Sequence, residues 1–167
     1  MKRLSILGLF VVLTISLTSF VNKVNSGGGD YKCLIQLKNY QGEGAYVVIS
    51  LIDNEGEYVK TLRVLGDDRE WYPDLPAWNT FREKNRFQPR LDGITGASIG
   101  SGERSVVSFT LEEQYIDKGY TLRFETSVED KKYHKEDVVI DLSKDNLSKG
   151  KYEGEKGYIR MIRLIPV

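Results

Sequence analysis

The sequence is short of the side chains on which most exported catalysts and scaffolds rely. One cysteine, Cys33, and one histidine, His134, occur in 167 residues. A single cysteine cannot form an internal disulfide, so the fold must be held by its core. A lone histidine among scattered acids matches no zinc or calcium ligand spacing. The chain has no Gly-x-Ser-x-Gly elbow and no phosphate-cradling Gly-rich loop. Without them, or a nucleophile–base pair, a hydrolase reading has little to stand on. An excess of positive charge is missing too. Lys+Arg and Asp+Glu number 24 each, and no basic patch invites nucleic acid.

Long apolar runs are equally scarce. The one present, Leu4 to Phe20, follows Lys2 and Arg3 and precedes Val24-Asn25-Ser26. A positive start, a short apolar stretch and small residues before a cut describe a secretory signal peptide over 1–26. The run is short for a membrane span and no second one follows, so no transmembrane anchor is expected in the mature chain. Loss of Lys2, Arg3 and Lys23 with this acid-free leader leaves 21 bases against 24 acids, a net charge of −3. A Gly-rich linker over 27–30 then leads into a single domain over 31–167. The expected setting is periplasmic or otherwise extracytoplasmic.

What is present is β-rhythm. Tyr31 to Leu37 alternates, with Cys33, Ile35 and Leu37 on one face, and a buried, inert thiol is expected at Cys33. Tyr46 to Ile52 is dense in β-branched and aromatic residues and reads as a strand buried on both faces. Asp53-Asn54-Glu55-Gly56 closes a hairpin onto Tyr58 to Leu65. Further strands are expected at 105–111, 120–128, 138–142 and 158–167, with a long exposed connection over 143–157. About seven strands with turn signals between them indicate an all-β, immunoglobulin-like sandwich. One short helix interrupts the rhythm. It is expected near Asn79 to Asn85, with Asp74 as its cap and Trp71, Leu75 and Trp78 on one face.

The segment after that helix stands apart. Asp92-Gly93-Ile94-Thr95-Gly96-Ala97-Ser98 strings together small and turn-forming residues. Gly93 and Gly96 can take positive φ, and Asp92 can close a turn through its own backbone. Thr95 and Ser98 present hydroxyls among few bulky neighbours, as a modifying enzyme would require of a protruding loop.

This segment resembles the acceptor motif Asp-x-x-Ser/Thr-Gly-Ala-Ser/Thr of proteins that carry covalent flavin. The resemblance implies that an ApbE-type flavin transferase moves FMN from FAD onto Ser98 as a phosphoester. Thr95, Gly96 and Ala97 would form the recognition core, and Asp92 the leading acid. The acceptor here is Ser where Thr is commoner. The wider chain resembles the family of predicted periplasmic proteins called domain of unknown function 2271. The likeness rests on Tyr46–Ile52, Asn54 to Leu62, Tyr72-Pro73-Asp74-Leu75 with Trp78, Gly119 to Leu122, Glu125 and Glu129, in that order. A Trp-Asp-Gly run expected of close members between Ser98 and Tyr120 is missing. The family setting implies extracytoplasmic electron transfer beside PepSY-type membrane redox proteins.

On that reading the protein is a redox carrier rather than an enzyme. Trp71, Tyr72 and Trp78 would bracket the flavin ring, unless their helical spacing marks them as core. The second class is a cofactor-free binding module that docks a membrane redox or transport partner. The acids Glu125, Glu129, Asp130, Glu136 and Asp137 with His134 are expected to form a solvated face. For Glu125 a structural pairing with a buried arginine is the alternative. Asn146-Leu147-Ser148 matches a glycosylation sequon.

Overall fold

In the computed structural model, which describes residues 27–85 and 94–167, the first alternating run is strand β1 (Gly29–Leu37). Tyr31, Cys33, Ile35 and Leu37 point into the core, and Cys33 is fully enclosed. Burial pushes its thiol pKa up to about 12, so it stays protonated and inert. The strand begins inside the expected linker. Gly27 is already buried, and its carbonyl accepts a 2.8 Å hydrogen bond from the Tyr31 hydroxyl. The expected leader over 1–26, together with Asp92 and Gly93, lies outside the described residues.

The other strands are β2 (Tyr46–Ile52), β3 (Tyr58–Leu65), β4 (Thr95–Gly96), β5 (Arg104–Leu111), β6 (Thr121–Ser127), β7 (His134–Asp141), β8 (Lys151–Glu153) and β9 (Ile159–Pro166). They form two sheets, ordered β5-β1-β9-β8 and β4-β3-β2-β6-β7. The expected all-β sandwich is therefore observed. Every pairing is antiparallel except β3 with β4. The main core lies between the sheets, where Cys33, Ile35 and Ile162 join Ile49, Leu51, Phe124 and Ile140.

Strand β2 is buried on both faces. Val47, Ile49 and Leu51 fill the main core, while Val48 belongs to a second cluster with Val64, Tyr72, Leu75 and Trp78. That cluster is closed by a 3-10 turn at Arg69–Asp74 and helix α1 (Pro76–Lys84), laid over the outer face of the five-stranded sheet. The helix begins at Pro76, one residue later than a cap at Asp74 would place it, and Asp74 is not its cap. Asp74 falls inside the 3-10 turn, which Asp68 caps by accepting from Glu70 N at 3.0 Å. Leu75 takes the cap position of α1 without a side-chain bond, and Pro76 occupies the first turn, where a missing N–H does no harm.

The stretch 143–157 is also more ordered than its polarity suggests. The Ser143 hydroxyl caps helix α2 (Lys144–Lys149) by accepting from Asn146 N at 3.2 Å. Gly150 ends it in the left-handed conformation, and β8 follows. A helix that buries only Leu147 reads as a loop because it has no apolar stripe.

Trp78 holds the helical layer down. It is fully buried, its Nε1 donates to Thr61 Oγ1 on β3 at 2.9 Å, and its ring meets that of Tyr72 edge-on at 4.9 Å. Trp78→Ala is expected to destabilise the protein by about 3–5 kcal/mol in urea unfolding. A loss below about 1 kcal/mol would mean that α1 does not secure the sheet.

Candidate functional site

The acceptor-like segment is built into the sheet rather than hung from it. Val64 N donates to Ile94 O at 2.9 Å and Gly66 N to Gly96 O at 2.6 Å, so β4 adds in parallel to the edge of β3. Three residues later Ile99 exchanges two hydrogen bonds with Ala45, at 2.7 and 3.0 Å. Ala97 and Ser98 span the gap between these anchors, and both are exposed. The expectation of a pliable protruding loop gives way here to a pinned dipeptide, for the parts of the segment that are described. Gly96 does not have positive φ, and a Cβ there would sit 3.6 Å from Leu65, an ordinary contact.

The two hydroxyls of the segment differ. Thr95 is half-buried and its side chain hydrogen-bonds to the phenol of Tyr72. Ser98 is exposed and faces Gly44, where an added Cβ would stand 2.5 Å from Ser98 Oγ. Gly66 is the node behind both. Its φ is +136°, and a Cβ on it would overlap the Tyr46 ring at 2.0 Å. Its carbonyl accepts from Tyr72 Oη at 3.2 Å.

Ser98 opens onto a cleft of about 210 Å³ at the end of β2 and β6. Gly44, Tyr46, Trp71 and Ser127 line it together with four carboxylates, Glu43, Asp68, Asp74 and Glu129. The acids act on one another. Desolvation first, and then repulsion from Asp130, Glu43, Asp74 and Glu70, raises the Glu129 pKa above the usual carboxylate range.

Of the aromatic residues expected to bracket a cofactor, Tyr72 and Trp78 are both core residues. They are about 1% and 0% exposed, and their rings pack against each other, with the Arg82 guanidinium above both. Their helical spacing reflects packing, and their faces are already occupied. Trp71, half-buried, is the aromatic that reaches the cleft. The lining residues Glu43, Gly44, Tyr46 and Ser127 carry no signal of their own in the sequence. They meet only because β2 pairs with β6 in a register that sets Tyr46 opposite Ser127.

The solvated acidic face is corrected at two positions. Glu125 is fully buried beneath α1, opposite Val48 in the β2–β6 register. It accepts hydrogen bonds from the hydroxyls of Tyr58, at 2.5 Å, and Tyr133, and forms an ion pair with Arg123 at 3.4 Å. Burial raises its pKa, while Tyr133, Tyr58 and Arg123 pull the other way. The Arg123 guanidinium lies 4.2 Å from the Tyr58 ring centroid. Asp137 is a cross-sheet staple, accepting from Thr126 Oγ1 at 2.6 Å and from the backbone of Gly157 and Ile159 at 2.9 Å each. Strand β6 ends at Ser127, so Glu129 does not continue the Glu125 face and enters the cleft instead. His134 is half-buried edge-on to Tyr158, and burial lowers its pKa. No group of three or more His, Cys, Asp or Glu among the described residues is arranged to hold a metal ion. No described helix is long and apolar enough to cross a membrane.

Two stability outcomes follow from these acids. Glu125→Ala leaves Arg123 buried without its counter-charge and should cost about 3–5 kcal/mol, most of it recovered in the double variant Arg123→Met/Glu125→Leu. Glu129 is the milder case. A carboxyl whose folded pKa is raised binds its proton more tightly folded than unfolded, so its stability contribution is lost as pH rises through that value. Glu129→Gln should therefore be more stable than wild type near pH 7, with the advantage shrinking towards about pH 4. Urea midpoints at the two pH values read the sign directly.

No curated protein and no solved structure matches the chain. Residues 29–160 match the family described as predicted periplasmic protein (DUF2271), a span that takes in β1 to β8, helix α1 and the Ser98 cleft and ends at the start of β9. The chain belongs to that family of predicted periplasmic proteins.

Proposed function

We propose that the protein is an extracytoplasmic electron carrier whose flavin is attached to Ser98 by a flavin transferase. One observation carries this reading. The Ser98 hydroxyl is exposed on a dipeptide anchored at both ends, while the other hydroxyl of the segment, on Thr95, is engaged with Tyr72. In the transfer, Ser98 Oγ attacks the FMN-side phosphorus of FAD. The pyrophosphate bond breaks, AMP departs, and the hydroxyl proton is lost to a base of the transferase.

The surroundings suit such a group. Gly44 leaves open the space beside Ser98 Oγ that a Cβ would fill. Nothing in the backbone demands glycine at Gly96, so its small size is available to an approaching enzyme. A cleft of about 210 Å³ is smaller than the ~300–1,000 Å³ of pockets that enclose ligands. It would take in part of a tethered group and leave the rest open to a redox partner. When bound, FMN supplies one- and two-electron chemistry, and the protein contributes position and electrostatics. Ser98 would hold the phosphoester, and Trp71 would offer a ring face beside it. Among partners, a PepSY-type membrane redox protein is the proposed donor or acceptor.

Produced with a cognate transferase and FAD, the protein should gain the mass of FMN less one water, and Ser98→Ala should not. Gly44→Ala should slow the modification, because the added methyl crowds the acceptor oxygen. An unmodified wild-type mass under these conditions rejects the carrier reading and leaves the cofactor-free docking module.

A further inference from the structure

We propose that the cleft beside Ser98 is a binding site for an organic cation, an alkylammonium or guanidinium group. The lining contains four carboxylates and no lysine or arginine. Desolvation first, and then repulsion from neighbouring acids that include Glu43 and Asp74 of the lining, raises the pKa of Glu129. The buried hydroxyl of Ser127, on the cleft wall, points independently to a ligand. Ser127 is about 2% exposed, and its Oγ has no hydrogen-bond partner among the described residues. A buried hydroxyl left unpaired is unfavourable, and an ammonium or guanidinium N–H would satisfy it.

The dispersion of the acids selects the kind of cation. They are not gathered closely enough to ligate a metal ion. A metal ion needs several oxygens at about 2.0–2.6 Å, whereas an organic cation reaches outward through hydrogen bonds of about 3 Å. Trp71 and Tyr46 add aromatic surface, which attracts a cation within about 6 Å of the ring centroid. The volume suits a single basic side chain or one end of a polyamine better than a whole cofactor. Such a group arrives either on a basic segment of a docking protein or as a free amine.

The site does not depend on the flavin reading, since its charge comes from the four carboxylates and it needs no group attached to Ser98. The test uses unmodified protein and follows the Trp71 indole N–H by NMR, assigned by its loss in Trp71→Phe. Nα-acetyl-lysine amide, Nα-acetyl-arginine amide and spermidine are titrated beside the neutral Nα-acetyl-glutamine amide. Saturable shifts are expected with the cations and none with the neutral amide. The tighter of the side-chain and polyamine arms identifies the source. Asp74→Asn/Glu129→Gln should weaken binding by about tenfold or more. Circular dichroism confirms that the variants are folded. A non-saturating response, an equal response to the neutral amide, or unchanged binding in the charge variant overturns the proposal.

Discussion

Strand β2 must be covered on both faces, and much of the molecule follows from that requirement. Its inner face needs only the opposing sheet. Its outer face carries Val48 and, through β3, Val64, which gain by leaving water, and through β6 the carboxylate of Glu125, which must find partners once it is covered. The chain therefore departs from the sheet after β3, turns through Arg69–Asp74, and lays α1 across the exposed row. Trp78 and Leu75 seal the apolar part. Tyr58 and Tyr133 supply the hydroxyls that make a buried Glu125 tolerable, and Phe81 stacks on Tyr58 at 5.0 Å. An ion pair in such a place is weak evidence for stability but strongly sensitive to losing one partner.

The β-strands were largely legible in the sequence because alternation on a two-sheet core is a direct consequence of the pleat. The double burial of Tyr46–Ile52 showed as an apolar run interrupted only by Ser50. Shorter elements were not, for physical reasons. Two-residue β4 carries no periodicity at all, and its pairing with β3 is long-range. Helix α2 has a Ser cap and a Gly stop, yet without an apolar stripe these signals resemble ordinary turn chemistry. Glu125 was ambiguous because a carboxylate in a strand looks the same whether water or tyrosine hydroxyls receive it. The cleft was legible only at Ser98 and Trp71, since its other walls come from segments far apart in the chain.

The two clusters of acids in the molecule show opposite solutions to the same electrostatic problem. At Glu125 and Asp137, each carboxylate is met by hydroxyls, backbone N–H groups or a guanidinium, and the result is structural. Around Ser98, four carboxylates share one wall, and Glu129 is repelled by Glu43 and Asp74 among others. That arrangement beside an exposed serine is the strongest physical contrast between this corner of the protein and the rest.

The parallel pairing of β3 with β4 bears on when this corner comes into being. Neighbouring strands joined by a hairpin close a short loop, whereas β4 pairs with β3 across the connection that carries the 3-10 turn and helix α1. In the unfolded chain neither anchor of the Ala97–Ser98 pair exists. A chain threaded unfolded across a membrane would thus hide the geometry from any enzyme in the compartment it leaves. On the proposed reading, folding itself would be the gate through which this serine becomes recognisable.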